Sequence, residues 1–189
     1  VIDRYGIDSI DFDIEGAAIS DTAANTRRAQ AIEKLQQADP TLVVTYTLPA
    51  ETSGLIASGL AVIDDAVKNG VAIAAVNIMA MNFSGVGDST GKMGTFAIQA
   101  GTALHGQLAT FYPALSAQQR WRKVGVTPMI GVNDFADQVF TVQDARDVVA
   151  FPERCHECGE PVLVRGVGVL GREDDDVSRM NGVLRGKLG

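Results

Sequence analysis

The chain has 189 residues, 46% of them hydrophobic and 21% charged, a mixture that can build a core and that excludes an intrinsically disordered chain. Its net charge of −7 argues against a nucleic-acid partner and against binding to an anionic membrane surface. No apolar run reaches the roughly 18 residues of a membrane helix, and the longest, 71–81, is interrupted by Asn77. The opening Val-Ile-Asp-Arg-Tyr-Gly has neither a basic n-region nor an apolar h-region, so no signal peptide is expected in this chain.

In chain order, 7–14 reads as a strand in which β-branched and aromatic residues alternate with acids. Residues 22–38 predict a helix capped by Asp21 and closed by Pro40. A β-branched strand follows at 42–48, then a helix at 54–69 with Asn69-Gly70 as its stop. The nearly continuous apolar run 71–81 predicts a strand buried on both faces. After a Gly/Ser-rich loop at 84–94 come a helix at 93–112, ended by Pro113, and a short helix at 116–122. A strand is expected at 123–132, with Pro128 an oddity inside it. Thr141 caps a helix over 141–151 with Asp144 at its third position, and 161–170 could form one further strand. Strands alternating with helices predict a parallel sheet with right-handed crossovers, either an open doubly wound sheet or part of a (β/α)8 barrel. No GxGxxG or P-loop follows any strand, which weakens a nucleotide-binding reading.

The chemistry is concentrated in the first strand. Asp11, Asp13 and Glu15 share one face, and Ile10, Phe12 and Ile14 the other. A solvated strand fits poorly, because the apolar face demands burial. Carboxylates in such a row repel one another, raise at least one pKa and can share protons. That is a route to a protonated Glu15, as a general acid requires. Asp11-x-Asp13-x-Glu15-Gly16 also imitates the start of a calcium loop, but Thr22 stands at the twelfth position, where that loop needs Glu. Cys155-His156-Glu157-Cys158, with His105 the only other Cys or His, falls short of four zinc ligands and reads as a surface loop. Neither a metal nor a cofactor is expected.

Asp8-x-x-Asp11-x-Asp13-x-Glu15, preceded by Tyr5-Gly6 and followed by Gly16, resembles the fourth-strand signature of glycoside hydrolase family 18, the chitinases. Residues 42–49 (LVVTYTLP) resemble the family's fifth strand, and 76–83 (VNIMAMNF) the sixth-strand segment of its bacterial chitinase-D-like branch. Residues 93–100 resemble the helix that follows, and 124–134 (VGVTPMIGVND) the seventh strand, so the resemblance covers about 1–151. It implies an α/β fold: a partial (β/α)8 TIM barrel of strands four to seven with their helices, with or without a diverged last strand. The first three strands are expected outside this chain. Residues 152–189, with both cysteines and the acidic run 173–176, are expected to be a diverged tail.

The function implied by the resemblance is hydrolysis of β-1,4-linked N-acetylglucosamine polymers, outside the cell, by a retaining, substrate-assisted mechanism. Glu15 is then acid and base. Asp13 holds the acetamido N–H and stabilises the oxazolinium, while Asp11 sits deeper and tunes Asp13. Asp8 and Gly16 are structural parts of the motif. Met79, Met81 and Asn82 line the sugar pocket, although Asn82 and Phe83 stand where the branch carries Asp and Tyr. Asn133 and Asp134 lie on the functional face or form a local Asx turn. The partner implied is chitin or an N-acetylglucosamine oligosaccharide. With an incomplete barrel, and its one Trp, Trp121, in a peripheral helical segment, the chain alone is expected to show little turnover. A non-hydrolytic carbohydrate-binding relative and an endo-β-N-acetylglucosaminidase remain open as alternatives.

Overall fold

The computed structural model describes residues 2–86, 89, 91–154, 163–164 and 167–168. The Cys155–Cys158 motif and the run 173–176 lie outside these residues. A helical turn α1 (Ile2–Tyr5) leads into β1 (Ser9–Asp13), a 3-10 turn (Gly16–Ser20), α2 (Thr22–Ala38) and β2 (Val43–Glu51). Next come β3 (Gly54–Leu55), α3 (Ala57–Lys68), β4 (Ile73–Ala80), α4 (Met93–Phe111) and α5 (Ala117–Trp121). The chain continues through β5 (Val124–Val132), β6 (Val139–Phe140) and α6 (Val142–Arg154), and then the two-residue strands β7 (Leu163–Val164) and β8 (Val167–Gly168).

Strands β1, β2, β4 and β5 lie side by side in that order, every pair parallel, and β7 and β8 both add in parallel to β5. The result is a curled half-barrel sheet with helices on its convex side. Alternation sorts the side chains. Val44, Tyr46 and Leu48 of β2, Val76, Ile78 and Ala80 of β4, and Val126 and Ile130 of β5 are buried in the core. They share that core with Ile32, Ile63, Leu104 and Leu108 from the helices. The residues between them along each strand therefore face the concave side.

Helix ends follow local chemistry. The Asp21 carboxylate accepts from the Ala24 N–H at 2.9 Å, which satisfies one of the N–H groups left open at the start of α2. Ser116 and Gln119 close a reciprocal capping box on α5. At α6, the Asp144 carboxylate accepts from the Thr141 N–H (2.8 Å) and hydroxyl (2.6 Å), and its other oxygen accepts from the Gly94 N–H at 2.7 Å. This buried carboxylate thereby ties the start of α4 to the start of α6.

The boundaries differ from expectation where tertiary contacts intervene. Residues 54–55 are not the first turn of a helix but a short strand antiparallel to the end of β2, pairing Ala50 with Leu55 and Glu51 with Gly54. Gly54 has φ +95, outside the helical region. The Gln107 amide holds the Leu55 backbone at both its N–H (2.9 Å) and its carbonyl (3.0 Å). Strand β1 starts at Ser9 rather than at residue 7. Strand β2 runs on through Pro49 to Glu51, and β6, which pairs antiparallel with the end of β5, was not expected. Pro128 stands opposite Ala80 at the last paired position of β4 and β5, where its missing N–H interrupts the least of the ladder.

Candidate active site

In parallel β/α barrels the chemistry gathers at the C-terminal ends of the strands. Strand β1 ends at Asp13, but the Ile14 N–H still donates to the Thr47 carbonyl at 3.1 Å. The extended backbone therefore carries on to Glu15, which stands at the head of the 3-10 turn at φ −141, ψ −177 with no side-chain capping bond. Gly16 then turns the chain at φ +56. A side chain there would find open space but a strained backbone. Ile14 is buried while Glu15 is exposed at the rim. Phe12 packs on Tyr46 with ring centroids 5.8 Å apart, so the apolar face of β1 does seek the core.

Register aligns the opposite face across four strands. Asp11 pairs with Thr45 and Asp13 with Thr47. Thr47 pairs with Asn77 and Pro49 with Met79. Asn77 pairs with Gly125 and Met79 with Thr127. The Asp11 carboxylate accepts from the hydroxyls of Thr45 and Thr47, the latter at 2.6 Å. The Asn77 amide donates to the Thr47 oxygen at 3.1 Å and to the Thr127 oxygen. Thr45, Thr47, Asn77 and Thr127 are all buried, so this polar layer floors the concave side beneath the rim.

Among the acids, Asp13 has a proton affinity raised above the ordinary value, first by burial and second by the charge of Asp11. The expected effect of the carboxylate row is thus found at Asp13. The raised value means that the folded chain binds this proton more tightly than the unfolded chain does, so Asp13 lowers stability as the pH rises through its titration. Asp13→Asn is expected to unfold at a higher temperature than the parent at pH 7. The difference should vanish well below pH 3.8, the ordinary aspartate value, where both states of the parent carry the proton. Thermal unfolding of the two proteins across that range checks it.

The remaining expected residues fall into two groups. Asp8 lies one residue before β1, exposed, where its carbonyl accepts from the Val43 N–H at 2.9 Å. Met79 and Met81 are half-buried, Met79 in register with Pro49 and Thr127. Asn82, at φ +50 the sole positive-φ residue other than glycine among the described residues, follows the end of β4. Its amide donates to the Asp134 carboxylate at 2.7 Å, and its amide oxygen accepts from the N–H groups of Asp134 (3.0 Å) and Phe135 (3.4 Å). The Asn82 N–H donates to the Asn133 side chain at 3.1 Å. Asn133 in turn donates to the carbonyls of Met129 (3.0 Å) and Gly131 (3.3 Å). Asn82, Asn133 and Asp134 therefore form one clamp between the loops after β4 and β5, and the Asn82 amide is engaged at both ends. Asn82→Asp would set a second carboxylate against Asp134. A loss of about 1 kcal/mol is expected in urea unfolding at pH 7, relieved in acid as the two carboxyls protonate.

Sequence reasoning missed Thr45, Thr47 and Thr127 and took Asn77 only as an interruption of an apolar run. The available signal was parity, since each is an odd-numbered polar residue alternating with core residues, in step with Asp11 and Asp13. It also missed Glu51, whose carboxylate accepts from the Ser84 N–H at 2.9 Å and pins the loop after β4. Trp121 is buried, stacked on His105 at 4.2 Å and edge-on to Phe151, among Gly101, Val124 and Val126. It is a packing residue distant in the fold from the acidic row. Among the described residues no helix is long and apolar enough to cross a membrane, and no group of three or more His, Cys, Asp or Glu could hold a metal.

No protein-family model matches the chain. Over 162 residues, 79% of this chain, it is 35% identical to a probable bifunctional chitinase/lysozyme of Escherichia coli (strain K12), of which it spans 18%. At the same identity and length it matches endochitinase 11 of Metarhizium anisopliae, of which it spans 30%. The catalytic domain of a hyperthermophilic chitinase from Pyrococcus furiosus superposes with a TM-score of 0.80 at 28% identity, covering 97% of this chain and 62% of that one. Catalytic-site mutants of active domain 2 of a thermostable chitinase from the same organism, complexed with chito-oligosaccharides, superpose equally well at 27% identity, covering 98% and 62%. The chain is thus a relative of the glycoside hydrolase family 18 chitinases, built on part of the fold of their catalytic domain.

Proposed function

We propose that this chain carries the acid/base half of a chitin-hydrolysing site that works by a retaining, substrate-assisted mechanism. The observation that supports it best is the row Asp11–Asp13–Glu15 at the C-terminal rim of a parallel half-barrel, with the proton affinity of Asp13 raised first by burial and then by Asp11. Glu15, exposed and free of a capping bond, protonates the glycosidic oxygen as the leaving sugar departs. The substrate's own acetamido oxygen attacks the anomeric carbon from the opposite side. Asp13 accepts the acetamido N–H and balances the positive charge of the cyclic intermediate. Glu15 then takes a proton from the water that opens it. Met79 and Met81 contact the sugar from β4 and its following loop, and Asn82 shapes that wall through its clamp on Asp134. Work on an insoluble polymer outside the cell, and a boundary near 151 between barrel and tail, are part of the same proposal.

The concave side is open along β1, whose described partner is β2. The chain alone should therefore turn over chito-oligosaccharides poorly, for want of the rest of the cleft. The test assays release from a fluorogenic chito-oligosaccharide by the chain itself and by the chain joined to the complementary part of the Pyrococcus catalytic domain. Turnover in the joined protein supports the reading. Binding without turnover there would favour the non-hydrolytic alternative.

A further inference from the structure

The polar layer under the acidic row has a direction. A carboxylate only accepts, and a threonine hydroxyl has one proton to give. The Thr47 hydroxyl therefore donates to Asp11 at 2.6 Å, and any bond it makes to Asn77 must be one it accepts. That requires the NH2 side of the Asn77 amide to face Thr47, at 3.1 Å, with its second N–H on the Thr127 oxygen. The amide oxygen is then turned to Gly125, where a Cβ would lie 2.7 Å from it. Glycine at 125 makes room for the Asn77 side chain as a whole, since the same Cβ would lie 3.1 Å from the Asn77 Cβ, and the amide oxygen there is buried with no hydrogen-bond partner among the described residues. The four residues come from four strands and meet because register puts Asp11, Thr47, Asn77 and Gly125 in adjacent rows.

We infer that Asn77 and Thr47 are positioning residues for the acidic row: Asn77, from β4, orients the Thr47 hydroxyl so that its proton is committed to Asp11, which anchors Asp11 as the accepting carboxylate beside Asp13. Asn77 acts only through Thr47. The titratable neighbours of Asp11 on its own strand face are Asp13 and, at the rim, Glu15, while Thr45 and Thr47 approach from β2. The importance of this anchor for catalysis rests on the function proposed above, but the anchor itself does not.

The test follows the carboxyl carbons of Asp11 and Asp13 by 13C NMR in the full chain at one pH, without any hydrolysis assay. Thr47→Val should displace the Asp11 carboxyl resonance by removing one hydroxyl donor, and Thr47→Ser should restore it. Asn77→Ala should displace it less, and that effect should disappear in the Thr47→Val background. A merely structural Asn77 would act the same in both backgrounds, and that result overturns the inference. So does an Asp11 resonance unmoved by Thr47→Val. Should Thr47→Val fail to fold, the unaltered chain still decides the matter: the Thr47 hydroxyl proton must exchange slowly and correlate with the Asp11 carboxyl carbon, and its absence overturns the assignment. If the joined protein shows no turnover while these resonances behave as expected, the proposed function fails and the anchor stands.

Discussion

Glu15→Gln, introduced into the chain joined to the complementary part of a chitinase catalytic domain, is expected to lower turnover of a chito-oligosaccharide by about two to four orders of magnitude. The amide is isosteric with the acid but has no proton to give to the departing oxygen at neutral pH. The change should cost almost nothing in stability. Glu15 is exposed, and its side chain makes no capping bond to the 3-10 turn that it heads, so the unfolding midpoint should stay within the spread of ordinary surface substitutions, about 0.5 kcal/mol. Initial rates and thermal melts on the same preparations separate the two effects. A variant that keeps more than about a tenth of the parent rate would remove Glu15 from the role of general acid. Loss of rate together with loss of fold would assign the effect to structure.

Gly94→Ala is expected to have the largest effect on stability, about 3 kcal/mol in urea unfolding. A Cβ at position 94 would lie 2.8 Å from the Asp144 Cα and 2.9 Å from its carbonyl oxygen. Both are backbone atoms, so no side-chain rotation relieves the clash, and α4 and α6 must move apart. The movement also draws the Gly94 N–H away from the buried Asp144 carboxylate, now 2.7 Å distant, and weakens the cap on α6 that the same carboxylate supplies to Thr141. An unchanged unfolding midpoint would mean that the two helix starts do not approach this closely in solution. Glu15→Gln should slow the chemistry and spare the fold, whereas Gly94→Ala strikes the fold far from the acids.

Much of this was legible in the chain itself because it depends on local pattern. Period-two alternation placed Asp11, Asp13 and Glu15 on one face of a strand, with Ile14 turned to the core. Asp21, Ser116 and Thr141 stood where helices begin, since an orphaned N–H needs an acceptor whatever the rest of the fold does. The alternation of strand and helix implied the parallel sheet, and the spacing of the four acids implied the kinship that sequence identity and superposition with chitinase catalytic domains then bore out.

Other features depend on partners distant in sequence. Gly54 and Leu55 left the expected helix because Gln107, more than fifty residues later, binds the Leu55 backbone on both sides. The Asn82 amide meets Asp134 and Phe135 only because the fold brings the loop after β5 beside the end of β4. Residue types alone announce which groups can donate or accept, and the alternation of a strand says which face they share. Only the register between strands decides which donor meets which acceptor. That register brought Thr45 and Thr47 to Asp11 and Asn77 to Thr47, making an interrupted apolar run into the floor of the acidic site.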